Sequence, residues 1–162
     1  MWSPALVHWP SGHQRRALLD EAGIPRLLLV APGSEIPADL GEGEDWVRLP
    51  ASERDVAARL ANLEHRFREA VRLDDATLHS GSRRADLSVV EARIVAALLD
   101  AGGELVPRSA LAAVVGPDPS TTGRRLHDTV HRLRRRLHPL GLDVFVAPRR
   151  GYALGLRIDD TA

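Results

Sequence analysis

The sequence predicts two units in tandem: a small α/β unit, then an α+β unit of helices closed by a β-hairpin. Three observations carry this. Residues 26–32, RLLLVAP, are a continuous apolar run of the kind that suits a strand buried on both faces of a parallel sheet. Residues 88–103, SVVEARIVAALLDAGG, begin with a capping box at Ser88 and Glu91 and stop at Gly102-Gly103, which outlines a helix. Residues 142–156, LDVFVAPRRGYALGL, are two apolar runs around a basic turn, which outlines a hairpin.

The remaining elements follow in chain order. ALVHWP (5–10) reads as a short strand ended by proline, and SGHQRRALLDEAG (11–23) as a helix capped by Ser11 and stopped by Gly23. After RLLLVAP, the acidic and Gly/Pro-rich APGSEIPADLGEGED reads as loop. DWVRLP (45–50) is a further strand. In SERDVAARLANLEHRFREAVRL (52–73), Val56, Leu60, Leu63, Phe67 and Val71 recur along one helical face. VRLDDATLHSGSRRADL (71–87) alternates around a Gly-Ser turn and reads as a hairpin. Behind helix 88–103, Pro107 opens a short helix with Leu111, Val114 and Val115 as its apolar positions and Gly116 as its end. A third helix, 119–138, has Asp118 and Pro119 as cap and first turn and ends at Pro139 and Gly141. The units divide as 1–70 and 71–162. Three helices followed by a hairpin is a winged-helix arrangement, with the wing at 142–156.

Composition narrows the function. The chain of 162 residues is 44% hydrophobic and has no cysteine, which fits a folded protein and excludes disulfides, thiolate metal sites and cysteine nucleophiles. No apolar run approaches the ~20 residues of a membrane span, and MWSPALVHWPSGHQRR lacks the outline of a signal peptide. A cytoplasmic protein is expected, with no membrane partner. All 22 basic residues are arginine, so every permanent side-chain cation is a planar fork. The net charge of zero hides an asymmetry. Residues 1–70 hold eight arginines against eleven acids, whereas residues 124–150 hold eight arginines against only Asp128 and Asp143. Charge confined to one end points to a polyanion-binding face.

Helix 119–138 concentrates that charge. At about 100° per residue, Leu126, Val130, Leu133 and Leu137 fall on one narrow stripe that must pack on the other helices. Opposite lie Arg124, Asp128, His131, Arg132 and Arg135. His127, Arg134 and His138 fill one flank, and Arg125, Thr129 and Arg136 the other. The bland reading is a surface helix in which Arg124, Asp128 and Arg132 make i,i+4 ion pairs. One acid cannot compensate six arginines, however, and Arg149 and Arg150 add a second cationic element at the hairpin turn. The pattern favours nucleic acid. Arg132 leans toward base edges with His131 and Asp128, Arg134 and Arg135 are better placed for phosphate, and Arg136 lies near the core edge. Asp128 either accepts from a cytosine amino group or only orients Arg124 or Arg132.

Residues 86–154 resemble the winged-helix DNA-binding domain of OmpR/PhoB-type response regulators. The likeness is carried by LSVVEARIVAALLDAGGELVPRSALAAVVG, then TVHRLRRRLHPLG, then the hairpin ending RRGYALG. It implies that the 119–138 helix enters the major groove of duplex DNA and that the hairpin is the wing. It places Arg124, His127, Asp128, His131 and Arg132 where that family meets bases or nearby phosphates, and Arg125, Thr129, Arg134 and Tyr152 where it commonly touches backbone. Pro148 stands where the family usually has an arginine before the wing glycine, so the minor-groove contact of Arg149 and Arg150 is shifted.

The first unit resembles a shortened receiver. DWVRLPASERDVAARLANLEHR (45–66) is similar to a receiver's last strand and helix, with Leu49-Pro50 in place of lysine-proline. ALVHWPSGHQRRALLDEAG is similar to its first strand and helix, with His8, Trp9 and Pro10 where magnesium-holding acids would stand. Phosphoryl transfer to aspartate needs a carboxylate cluster, an acceptor Asp at a strand end and a cation. Asp39, Asp45 and Asp55 fall in a loop, at a strand start and in a helix, so no phosphorylation site is expected.

The sequence therefore predicts a bacterial-type, phosphorylation-independent transcription regulator, an atypical response regulator without catalytic set, cofactor or metal. His127 and His131 lack a third ligand. Its expected partners are double-stranded DNA, a second copy joined through the N-terminal unit, and RNA polymerase or another regulator. Helix 52–73 is either the contact surface of that unit or only the cover of its own sheet. Two alternatives stand beside this: a winged-helix adaptor that docks an acidic protein surface, and a regulator gated by a small ligand in the first unit.

Overall fold

The computed structural model describes residues 2–117 and 119–157. The first unit runs β1 (Ala5–Trp9), α1 (His13–Glu21), β2 (Arg26–Val30), β3 (Glu44–Arg48) and α2 (Glu53–Ala70). Its three strands lie parallel in the order β1-β2-β3, with Val7 beside Leu28 and Leu28 beside Trp46. The apolar run of β2 is buried on both sides, as a central parallel strand requires. Leu28 and Val30 join Val7 and Leu19 under α1, whereas Leu27 joins Val47 and Leu63 under α2. The Ser11 cap does not form. The turn out of β1 is tighter than the sequence pattern implies, so Gly12 takes the cap position and gives its N–H to the His8 carbonyl at 2.6 Å.

The second unit begins without a spacer. α2 ends at Ala70, and its C-cap, Val71, is already the first residue of β4 (Val71–Asp74). Strands β4, β5 (Thr77–Ser80) and β6 (Arg83–Asp86) form an antiparallel meander where the sequence suggested a two-stranded hairpin. The Asp75 turn (φ 52°) supplies the extra corner, and a short Asp-Ala turn carries too little glycine to be read as one. Then come α3 (Val89–Asp100), α4 (Arg108–Val115), α5 (Pro119–Leu137), a 3-10 turn (His138–Leu140), β7 (Leu142–Ala147) and β8 (Gly151–Leu156). This is an α+β winged helix-turn-helix. Ser88 and Glu91 make the capping box at α3, both bonds present. Asp118, the expected cap of α5, lies outside the described residues.

One core fills the second unit, with Ile94, Leu98, Leu111, Leu126, Leu133, Leu137, Val144 and Leu154 at its centre. It also recruits the first unit. Trp2 is buried in it and packs on Phe67, ring centroids 6.2 Å apart. The apolar stripe of α2 is thus divided: Val56, Leu60 and Leu63 cover the parallel sheet, while Phe67 and Val71 enter the second core. That stripe is spent inside the chain, which favours the covering role for α2 over contact with a partner. Arg83 closes the junction from the side. Its guanidinium donates to the Glu21, Asp20 and Pro139 carbonyls, tying the end of α1 to the turn after α5. There Gly141 (φ 74°) meets Gly23 so closely that a Cβ would stand 2.1 Å from the Gly23 oxygen. No larger residue fits.

Candidate nucleic-acid interface

α5 is amphipathic in the way its sequence demands. Leu126, Val130, Leu133 and Leu137 are buried, and Thr122 and Thr129 are buried beside them. The outward side presents Arg124, Arg125, His127, Asp128, His131, Arg132, Arg135 and Arg136, all exposed. The expected i,i+4 pairs of Asp128 with Arg124 and Arg132 do not form: among the described residues Asp128 has no ion pair within 4.0 Å. The helix therefore carries its cations largely uncompensated.

The six arginines of α5 have different fates. Arg134 is bidentate on Asp143, Nε to Oδ1 at 2.7 Å and Nη2 to Oδ2 at 2.9 Å. The bond joins α5 to β7, the first strand of the wing. Burial alone would raise the Asp143 carboxyl, but the hydrogen bonds from Arg134, helped by its charge, hold it below the usual carboxylate range; the same bond raises Arg134. Arg136 donates to the Asp86 carbonyl at 2.9 Å and lies 3.4 Å from the buried Glu91, so it anchors α5 to β6 and α3. Arg132 touches only the Thr129 hydroxyl, at 3.3 Å. Arg124, Arg125 and Arg135 have neither a hydrogen bond nor an ion pair among the described residues.

The wing turn presents Pro148, Arg149 and Arg150 to solvent, with Arg149 in a left-handed conformation (φ 62°). Its base is fixed. Tyr152 exchanges backbone hydrogen bonds with Val106 at 2.7 and 2.9 Å, and a Cβ on Gly151 would stand 2.1 Å from the Val106 oxygen. Two residues on, Arg108 opens α4 and donates to the Gly123 carbonyl of α5 at 3.2 Å. Wing base, start of α4 and first turns of α5 are thereby linked through 106–108. Sequence reasoning missed Arg108. Its signal was an arginine directly after the proline that opens a helix, at the end pointing toward the wing.

Of the residues expected to contact DNA, Arg124, Arg125, His127, Asp128, His131, Arg132 and Arg135 share the exposed side of α5, and Arg149 and Arg150 sit on the wing. Three stand apart. Thr129 and Tyr152 are each only 5% exposed, and Arg134 is held by Asp143. They lie beneath that exposed surface. In the first unit, the strands end at Trp9, Val30 and Arg48, none of them a carboxylate. Trp9 Nε1 donates to the Glu35 carbonyl at 3.0 Å and Arg48 to the Ser34 carbonyl at 2.9 Å, so the loop after β2 is tied over those ends. The donor set does not fit a magnesium ion, and among the described residues no group of three or more His, Asp or Glu is placed to hold a metal. None of the described helices is long and apolar enough to cross a membrane.

No family model matches the chain, and no curated protein matches it. Among solved structures it is similar to the DNA-binding domain of the response regulator AdeR in complex with an intercistronic region, at 18% identity and TM-score 0.47, over 54% of this chain and 95% of that one. It is also similar to the C-terminal domain of the nisin resistance regulator NsrR, at 23% identity and TM-score 0.47, over 55% of this chain and 95% of that one. A RitR mutant aligns over 92% of this chain and 63% of its own, at 17% identity and TM-score 0.44.

Proposed function

We propose that the protein is a sequence-specific, double-stranded DNA-binding transcription regulator whose α5 lies in the major groove and whose wing meets an adjacent groove or backbone. The observation that supports it best is the uncompensated cation set: Arg124, Arg125, Arg132 and Arg135 on one helix, Arg149 and Arg150 on the wing, on a chain of zero net charge. Arg54, Arg66, Arg84 and Arg93 are also exposed and unpaired among the described residues, but they are spread over α2, β6 and α3, whereas these are gathered on one helix and the wing and can meet an external polyanion together. Arg132, with His131 and Asp128, reads base edges. Arg124, Arg125 and Arg135 meet bases or phosphates, and Arg108 extends the phosphate track. Arg134, Thr129 and Tyr152 position the helix and wing.

The first unit, residues 1–70, acts without phosphorylation. Asp39 and Asp45 are engaged by Arg16 and Arg59, Asp55 lies in the first turn of α2, and the strand ends carry no acid. Its three successive strands pair in sequence order, as the last three strands do in a doubly wound sheet of order 2-1-3-4-5. On that reading β1 takes the place of a middle strand of a receiver, not of its first. One winged helix makes few base contacts, so the protein works as a homodimer on two half-sites.

The test is a DNA titration with fragments selected from genomic DNA. Arg132→Ala with Arg135→Ala lowers affinity at least about tenfold while leaving the fold intact. Unchanged affinity rejects the reading. Arg134 is left out of this variant because its loss also frees the wing.

A further inference from the structure

The two edges of the parallel sheet are protected differently. β3 carries Asp45 and Arg48, and Arg59 pairs with Asp45 at 3.0 Å, so charge guards that edge. β1, ALVHW, has no permanently charged residue. Its Leu6 is 40% exposed and takes no part in the cluster under α2, which covers β2 and β3 instead.

The backbone of that open edge is complementary to itself. Ala5 gives its N–H to Pro25, and the Trp9 carbonyl accepts from Ala31, so alternate residues of β1 face β2. Leu6 and His8 therefore face outward. The His8 carbonyl already accepts from Gly12. Among the described residues the Leu6 N–H, the Leu6 carbonyl and the His8 N–H have no hydrogen-bond partner. In an antiparallel pairing with a second copy about a dyad at Leu6, each Leu6 N–H donates to the Leu6 carbonyl of the other copy. Two residues along, each His8 stands opposite Pro4 of the other copy, a residue buried in its own chain, so the Leu6 pair is the bond the dyad depends on. A bond from Pro4 back to His8 would need an N–H that Pro4 lacks and a carbonyl that Gly12 has already taken.

We propose that the protein dimerises through the β1 edge, with two copies forming one continuous sheet about a dyad at Leu6. This rests on the homodimer in the function proposed above and specifies its surface. It also fixes the geometry on DNA. α2 enters β4 without a spacer, and Arg83 and the Gly23–Gly141 contact clamp the junction. The two winged helices then obey the same dyad, and the half-sites are inverted rather than tandem.

The absence of cysteine makes single-cysteine cross-linking a clean test on the full chain. Leu6→Cys places two thiols on residues about 5.5 Å apart at Cα, within disulfide reach. Leu18→Cys, at a site 52% exposed on α1, is the control for random collision. Leu6→Cys is expected to oxidise to a covalent dimer well ahead of Leu18→Cys, and the selected DNA to contain inverted half-sites. Leu6→Asp, folded by circular dichroism, is expected to sediment with dimerisation weakened at least about tenfold. Equal cross-linking of the two cysteine variants, a dimer unaffected by Leu6→Asp, a monomeric wild type or tandem half-sites each overturn the proposal. Failure of the DNA reading looks different: Leu6→Cys still cross-links, but Arg132→Ala with Arg135→Ala binds DNA as wild type does.

Discussion

The starts of β2 and β3 and the outer face of α5 are built from the same cation and use it in opposite ways. At the sheet, Arg26 and Arg16 converge on Glu44, whose side chain is fully buried, at 2.7 and 2.8 Å. Asp20 and Asp39 complete the cluster. Burial alone would raise Glu44, but hydrogen bonds from Arg16 and the Gly41 N–H, with both guanidinium charges, bring it below its ordinary value. Arg16 is raised by the same partner. On α5, Arg124, Arg125 and Arg135 have no partner among the described residues, and Asp128, the one acid nearby, engages none of them. A buried charge must be paired to be tolerated at all. An unpaired exposed charge contributes little to folding and stays free to meet a partner outside the chain.

That contrast can be broken at several points. The largest effect is expected from Glu44→Gln, which removes the buried partner of Arg26 and Arg16, leaves them only the exposed Asp20 and Asp39, and lowers unfolding free energy by about 3 kcal/mol in chemical denaturation. Arg134→Ala removes a bidentate, half-exposed bond and leaves Asp143 with the Val144 N–H and the more distant His138, at a cost of about 1–2 kcal/mol. It also loosens the wing, so DNA affinity falls more than the loss of one phosphate contact accounts for. Smallest in stability, within about 0.5 kcal/mol, are Arg124→Ala and Arg135→Ala; their effect belongs to DNA binding. The acid limb sharpens the comparison further. Glu44 and Asp143 are both lowered in the folded state. Each contributes stability that is complete above the ordinary carboxylate value of about 4 and is lost as pH falls through the folded value. Acid titration of Glu44→Gln should therefore show a shallower loss than wild type.

The C-terminal architecture was legible because its signals are local. The Ser88–Glu91 box, the Leu126–Val130–Leu133–Leu137 stripe and the two runs flanking Pro148-Arg149-Arg150 each specify an element from neighbours in sequence. The roles within the arginine cluster were not legible. Arg134 and Arg136 find Asp143, Glu91 and Asp86 only after β7, α3 and β6 fold against α5. For the same reason Glu44 read as one acid of a loop. Its neighbours Arg16 and Arg26 lie far away in sequence, and parallel pairing brings them together. Trp2 shows the limit of a boundary drawn at residue 70: it packs across that boundary on Phe67 and into the second core.

The central claim is that the unpaired arginines of α5 and the wing exist to meet phosphate and bases. Its most direct test is the salt dependence of DNA binding by the full chain. With about six phosphates neutralised, log affinity should fall against log salt with a slope near −5. Arg132→Ala with Arg135→Ala should lower affinity and make that slope shallower by about one while leaving thermal unfolding unchanged. A flat salt dependence, or a double variant that binds as wild type does, would contradict it.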